Sequence, residues 1–296
     1  MAWFSFHGGH SGQFCRHAKD DLASVLERAI ALGFSHYGIS EHAPRYRRED
    51  LMEEERDLTP EDLQGNFTRY AEEALRLRKR YADRLAVFVG YETERLPPGD
   101  WRARMLALRA SAPFDYVVGS VHDVDGVWID SSPSQTQAVA ERLGGTEALH
   151  QRYFEALADL VESIRPDVVG HLDVVRKFEP AGATFGPRAT RAIERVLEAA
   201  RAFGCAIDVN CGAWRRGLGP VYPRPEILRR VGAMGLRVTL GDDSHGVDSV
   251  GVGLEACLEA IRAAGIDRVS HLTRADGGVR WTDVPLGDVV RPRGSR

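Results

Sequence analysis

Seven short apolar, β-prone runs recur along the chain, separated by longer stretches in which apolar residues return at spacings of three and four. The runs are WFSFH (3–7), FSHYGISEH (34–42), LAVFVGYE (85–92), FDYVVGSVH (114–122), PDVVGHLD (166–173), CAIDVN (205–210) and LRVTLGDDSH (236–245). The helical stretches include DDLASVLERAIALG (20–33), TPEDLQGNFTRYAEEALRLRKRYADR (59–84), TRAIERVLEAARAFG (190–204) and SVGVGLEACLEAIRAAG (249–265). Such βα alternation predicts parallel strands joined by helical crossovers, an α/β chain closing into one barrel. A further short run, DRVSHLT (267–273), precedes a polar Arg/Pro/Gly tail that is expected to fray from about residue 286. No internal repeat, low-complexity segment or linker interrupts the pattern, so residues 1–296 read as a single domain.

The ends of the runs carry the chemistry. They finish in, or immediately before, His7, His42, Glu92, His122, His171, Asn210 and the pair Asp243 and His245. In a β/α barrel the C-terminal ends of all strands lie on the face where active sites are built, so these side chains are expected to converge. One histidine at a strand end is more often a hydrogen-bonded loop residue than a ligand; six of seven strand ends with ligand-type side chains point to a metal site. His10 and His17 lie in the loop after the first run, where Gly8 and Gly9 allow the backbone to fold back tightly. Neutral imidazoles and carboxylates suit zinc, iron or manganese. His36, His150 and His271 fall at a strand start, on a helix and in the late run, and receive no catalytic role. Cys15 reads as a small buried packing residue rather than a ligand. The charged segment APRYRREDLMEEERDLT (43–59) is long for a βα loop, and is either a lid or a solvated excursion.

Composition narrows the partners. The 296 residues are 43% hydrophobic and 28% charged, with formal net charge −4. No run of about 18 apolar residues could span a bilayer. No long basic block offers a nucleic-acid footprint, so the expected partner is a small molecule, and oligomeric state stays open. Four cysteines without CxxC spacing, and no leader-like opening, fit a reducing cytoplasm.

Taken together, HSGQFCRHA, ISEH, GYE, FDYVVGSVH, VGHLD, DVNCGAWRR, VYPRPEILRR and LGDDSH resemble the polymerase and histidinol phosphatase (PHP) superfamily, within it the histidinol-phosphatase branch, over roughly residues 4–265. The resemblance implies a distorted seven-stranded barrel holding three divalent metal ions. It also implies a phosphomonoesterase of histidine biosynthesis, releasing L-histidinol and phosphate from L-histidinol phosphate through a metal-bridging hydroxide. Carried over by motif, His7, His10, Glu92 and Asp243 are expected at the first metal. Glu92 bridges to a second ion held by His122 and His171, and His17, His42 and His245 form the third set. Glu92 and Asp243 are thus the expected catalytic carboxylates. Arg215 matches the arginine of the family's NTxGxR and is expected to grip phosphate in a bidentate fork. Arg216, Asn210 and Trp214 complete the expected substrate group. Glu41 stands where the family commonly has Asp and is expected to orient a ligand. The usual HxH opening is HGGH here, and the cysteine follows five residues on instead of four. The alternatives are a PHP nucleotide or oligonucleotide phosphatase or exonuclease, and a non-catalytic PHP interaction module. An amidohydrolase with a carboxylated lysine is disfavoured, because Lys177 lies six residues beyond His171.

Overall fold

The structure is a computed structural model describing residues 3–180, 182–219, 221–275 and 277–289. Its elements in chain order are β1 (Phe4–Ser5), α1 (Leu22–Ala31), β2 (His36–His42), α2 (Pro60–Arg80), β3 (Ala86–Glu92), α3 (Trp101–Ser111) and β4 (Tyr116–Gly119). Next come β5 (Asp123–Val124), β6 (Val127–Trp128), α4 (Pro133–Leu143), α5 (Thr146–Ile164), β7 (Val168–Val169), α6 (Pro187–Phe203), β8 (Ala206–Asn210) and the single turn α7 (Gly212–Arg215). The chain ends in α8 (Pro225–Ala233), β9 (Val238–Gly241), α9 (Leu254–Ala263), β10 (Arg268–Ala275) and β11 (Gly278–Pro285).

Seven strands pair in parallel in the order β1-β2-β3-β4-β7-β8-β9, which is their order in the chain. Backbone bonds from Phe6 N–H to Leu240 O and from Asp243 N–H to His7 O, both 2.8 Å, bring the first strand against the last. The sheet is therefore a nearly closed barrel, as the alternation predicts. The predicted runs hold, but several strands are short, so His7, His122, His171 and Asp243 stand a few residues beyond the paired segments.

Helix boundaries follow local chemistry. Asp21 caps α1 by accepting the Ser24 N–H at 2.9 Å, and Thr59 with Asp62 forms a reciprocal capping box ahead of Pro60 in α2. Gly204 in the left-handed region ends α6. The inward stripe of α1, Leu22, Val25, Leu26 and Ala29, is buried in the same core as the strand side chains.

Two features differ from the sequence expectation. Residues 267–273 form one arm of a β-hairpin, β10–β11, whose second arm the pattern did not predict. It lies across the N-terminal end of the barrel, with His271 against Phe4 and His36, and Trp281 against Phe6. The expected frayed tail is ordered through Val289, with Leu286 and Val289 buried; residues 290–296 lie outside the described residues. Among the described residues no helix is long and apolar enough to cross a membrane.

The HGGH turn shows why glycine is needed twice. Gly8 and Gly9 have φ of +141° and +73°. A Cβ on Gly8 would sit 2.2 Å from Asp242 Oδ1, and one on Gly9 2.6 Å from Ile39 Cγ2. Gly8→Ala should lower stability by about 2 kcal/mol or more. Gly65→Ala, on α2 with nothing closer than Arg69 Nη1 at 3.5 Å, should raise it by roughly 0.5–1 kcal/mol. Urea unfolding of both variants checks the two signs.

Candidate metal centre

Parallel pairing of β2 with β3 sets His42 beside Glu92. Glu92 is fully buried at the end of β3 and forms the hub of the site. Its Oε1 lies 3.1 Å from His7 Nε2, 3.4 Å from His122 Nε2 and 3.1 Å from His171 Nε2. Its Oε2 lies 3.2 Å from His42 Nδ1 and 3.8 Å from His10 Nε2. Neither oxygen has a hydrogen-bond partner among the described residues, and His7 Nε2, His10 Nε2 and His42 Nδ1 are equally buried and unpaired. Asp243 Oδ1 lies 4.0 Å from His10 Nε2 and 3.8 Å from His245 Nδ1. On the outer side, His17 Nε2 faces His42 Nε2 at 3.0 Å, and the His17 and His245 ring centres are 5.0 Å apart.

A second layer aims most of these rings. His7 Nδ1 meets Asp208 Oδ2 at 2.7 Å, His10 Nδ1 meets Glu41 Oε1 at 3.1 Å and His122 Nδ1 meets Glu94 Oε2 at 3.0 Å. His245 Nδ1 lies 3.0 Å from the carbonyl oxygen of Asp243. Each contact engages Nδ1 and leaves Nε2 toward the centre, the arrangement that orients metal-binding histidines. Asp208 does more, accepting from His171 N–H at 3.0 Å and Asn210 Nδ2 at 2.9 Å.

The electrostatics follow from crowding these groups in a buried space. Burial opposes ionisation of Glu92, but His7, His42 and His122 hold its carboxyl well below the ordinary range. Asp243 is likewise held low, against burial, by His7, His245 and His171. Burial and His42 press His17 toward the neutral form; burial and His10 do the same to His42, and bring His245 down to about 4. Burial also opposes charge on His7, yet Glu92 and Asp208 raise it well above its usual value. Burial opposes charge on His10 and His122 too, yet Glu41 raises the first and Glu94 with Glu92 raises the second well above its usual value. The ionised carboxylates and the neutral outer rings of His17, His42 and His245 are in the forms that bind metal. Compatible donor triplets are His7/Glu92/His171, His7/His10/Asp243, His10/His42/His245, His42/Glu94/His122 and Cys15/His17/His42.

All nine residues expected as ligands therefore gather on one face. The substrate group divides differently. Arg215 spends its guanidinium on the main chain, donating from Nη1 to Asp242 O and from Nη2 to Asp243 O at 2.8 Å. It buttresses the Asp243 loop, and in this geometry it offers no free fork to phosphate. Asn210 is buried, donating to Asp208 and accepting the Gly212 N–H at 2.8 Å. Arg216 is exposed, and its Nη1 reaches Gly212 O at 3.4 Å. The space beside the Gly212 Cα borders both Arg216 Nη1 and Asp243 Oδ2, which places that guanidinium beside the site. Trp214 is 48% exposed, and its ring carbon Cε3 borders the Gly253 Cβ position. His150 pairs with Glu179, and His36 packs against His271 on β10; none joins a donor triplet.

Sequence reasoning missed Asp208 and Glu94. Each stands two residues from a strand-end residue, Asn210 and Glu92: Asp208 shares a face with Asn210 by the period-two alternation of β8, and Glu94 lies just past the end of β3. The segment 43–59 is neither free nor wholly solvated: its buried Arg45 pairs with Glu55 at 3.4 Å and Glu94 at 3.7 Å, and lies over Trp128. It walls the His42 side of the site.

A parallel β/α barrel whose strand ends surround a buried carboxylate with imidazoles has the architecture of metal-dependent barrel enzymes. The family model for the PHP domain matches residues 8–212. A Schizosaccharomyces pombe protein named "Probable histidinol-phosphatase" is 35% identical over 274 residues, 91% of this chain and 89% of that protein. The histidinol-phosphatase of Saccharomyces cerevisiae is 28% identical, covering 88% of each chain. The chain belongs to the PHP family. The crystal structure of histidinol phosphate phosphatase from Lactococcus lactis, complexed with zinc, L-histidinol and phosphate, superposes with a TM-score of 0.69. It is 19% identical in sequence, and the match covers 90% of this chain and 95% of that one.

Asp208→Asn removes the charge that orients His7 and should weaken zinc binding roughly 10- to 100-fold. Competition with a chromophoric chelator measures this, and unchanged affinity would remove Asp208 from its orienting role.

Proposed function

We propose that this chain is a histidinol-phosphatase, a metal-dependent phosphomonoesterase that hydrolyses L-histidinol phosphate to L-histidinol and phosphate in histidine biosynthesis. One observation carries the chemistry: both oxygens of buried Glu92 lack hydrogen-bond donors while imidazole nitrogens converge on them. The substrate is supported by the names of relatives aligned over most of their length.

The donor set fits metal ions, because unpaired buried polar atoms aimed at one point cost stability unless a ligand satisfies them. His7, His10, Glu92 and Asp243 are proposed to hold a first ion, Glu92 with His122 and His171 a second, and His17, His42 and His245 a third. Nitrogen and oxygen donors suit zinc, iron or manganese. Bound there, such ions supply Lewis-acid charge for the phosphoryl oxygens and activate water at neutral pH.

The chain's own residues do the rest. Glu92 and Asp243, held ionised, anchor the centre, while Asp208, Glu41 and Glu94 fix the rings of His7, His10 and His122. Arg215 keeps the Asp243 loop in place from behind. Arg216 reaches toward phosphate from the rim, and Trp214 offers an aromatic face to the imidazole of the leaving alcohol. Four free cysteines fit a reducing cytoplasm.

Phosphate release from L-histidinol phosphate by zinc- or manganese-loaded protein should be strong, abolished by chelator, and far above release from a nucleoside monophosphate. The opposite preference would keep the metal site and assign a nucleotidase. In the same assay Glu92→Ala should abolish turnover and lower bound metal, while His150→Ala should do neither. Arg216→Ala should raise KM roughly tenfold at unchanged metal content, and an unchanged KM would remove it from the phosphate site.

A further inference from the structure

We infer that Arg45 is a positioning residue of the metal centre, acting through Glu94 on His122 and so tying the segment 43–59 to the second ion. The inference rests on the metal-centre reading and adds a residue that neither the ligand set nor the substrate group contains.

Three strand-end loops meet at the Arg45 guanidinium. Arg45 stands three residues past His42, the last residue of β2; Glu94 stands two past Glu92, the last of β3; and Trp128 comes from β6. Arg45, Glu55, Glu94 and Trp128 are all buried. Arg45 Nε lies 3.4 Å from Glu55 Oε2, and Nη2 lies 3.7 Å from Glu94 Oε1. Nη1 donates to Ala43 O at 3.1 Å, and Nη2 reaches Met52 Sδ at 3.4 Å. The guanidinium carbon lies 5.2 Å from the centre of the Trp128 ring, which is in turn 6.5 Å from the His122 ring.

Glu94 carries this charge to the metal centre. Its Oε2 holds His122 Nδ1 at 3.0 Å, which leaves His122 Nε2 facing Glu92 Oε1 at 3.4 Å. Its Oε1 has no hydrogen-bond partner and faces both Arg45 Nη2 and, at 3.5 Å, His42 Nδ1. Glu92 Oε2 stands 3.2 Å from that same His42 nitrogen, so two buried carboxylates crowd one ring edge and repel each other. An arginine keeps its charge when buried. Arg45 therefore brings a fixed positive charge that offsets the repulsion and keeps Glu94 on His122.

Glu55 completes the link. Its Oε2 accepts the Met52 N–H at 3.0 Å, so the oxygen that closes the turn Glu53–Glu55 is also the one that faces Arg45. Charges thus run in sequence from Glu55 through Arg45 and Glu94 to His122, from the segment 43–59 to a ligand of the second ion. A planar guanidinium can serve two carboxylates and an aromatic face at once, which the point charge of a lysine does less well.

A double-mutant cycle on metal binding tests the link. By competition with a chromophoric chelator, Glu94→Gln should weaken zinc binding roughly 10- to 100-fold and Arg45→Gln roughly tenfold. The two changes together should weaken it little more than Glu94→Gln alone, because they break one chain of contacts. In the phosphatase assay Arg45→Gln should lose kcat at limiting zinc and regain it at excess zinc, with KM for L-histidinol phosphate unchanged. Arg45→Lys should fall between Arg45→Gln and wild type, and takes its place in the cycle if the glutamine variant fails to fold. Wild-type zinc affinity in Arg45→Gln, losses that multiply in the double variant, or a raised KM at full metal occupancy overturns the inference and leaves the metal centre standing. A wild-type protein that binds no zinc overturns both.

Discussion

Burial of the Glu92 carboxylate among imidazoles is the constraint on which the site depends. A buried charge without partners is costly, and each unpaired buried polar atom costs roughly 1–3 kcal/mol. Here the two carboxylate oxygens and the nitrogens of His7, His10 and His42 all go unpaired together. The cost is recovered when cations occupy the space between them, so metal binding and folding of this face are thermodynamically linked. The second-layer carboxylates Asp208, Glu41 and Glu94 serve the same end, since each holds a ring by Nδ1 and leaves Nε2 to the centre.

The barrel supplies this arrangement from residues distant in the chain. Parallel pairing in chain order brings the C-termini of the seven barrel strands to one rim. Closure between β1 and β9 then carries His7 next to Asp243, whose N–H bonds the His7 carbonyl. The two glycines of HGGH accept left-handed backbone against Asp242 and Ile39, and the altered opening still delivers both histidines to Glu92. Arg215 completes the frame by bonding the carbonyls of Asp242 and Asp243.

Much of this was legible in the sequence because barrel strands are short apolar runs and their ends are where polarity returns. His42, Glu92 and Asn210 fall on the last residue of their strands, and His7 and His122 follow closely. Asp208 was hidden because it lies inside an apolar run, CAIDVN, where a lone acid gives no sign of the histidine 201 positions away that it holds. The second arm of the β10–β11 hairpin escaped notice because GVRWTDVP mixes charge with apolar residues and lies in a region read as approaching the tail. Arg215 and Arg216 could not be separated by type. On a single helical turn adjacent residues point about 100° apart, so one meets the backbone behind the site and the other its mouth.

Anomalous scattering from crystals grown with zinc tests the central claim most directly. The account predicts ions on both sides of the Glu92 carboxylate, about 2.0–2.2 Å from its oxygens. A Glu92 without an adjacent peak, its oxygens paired instead with hydrogen-bond donors, would contradict it.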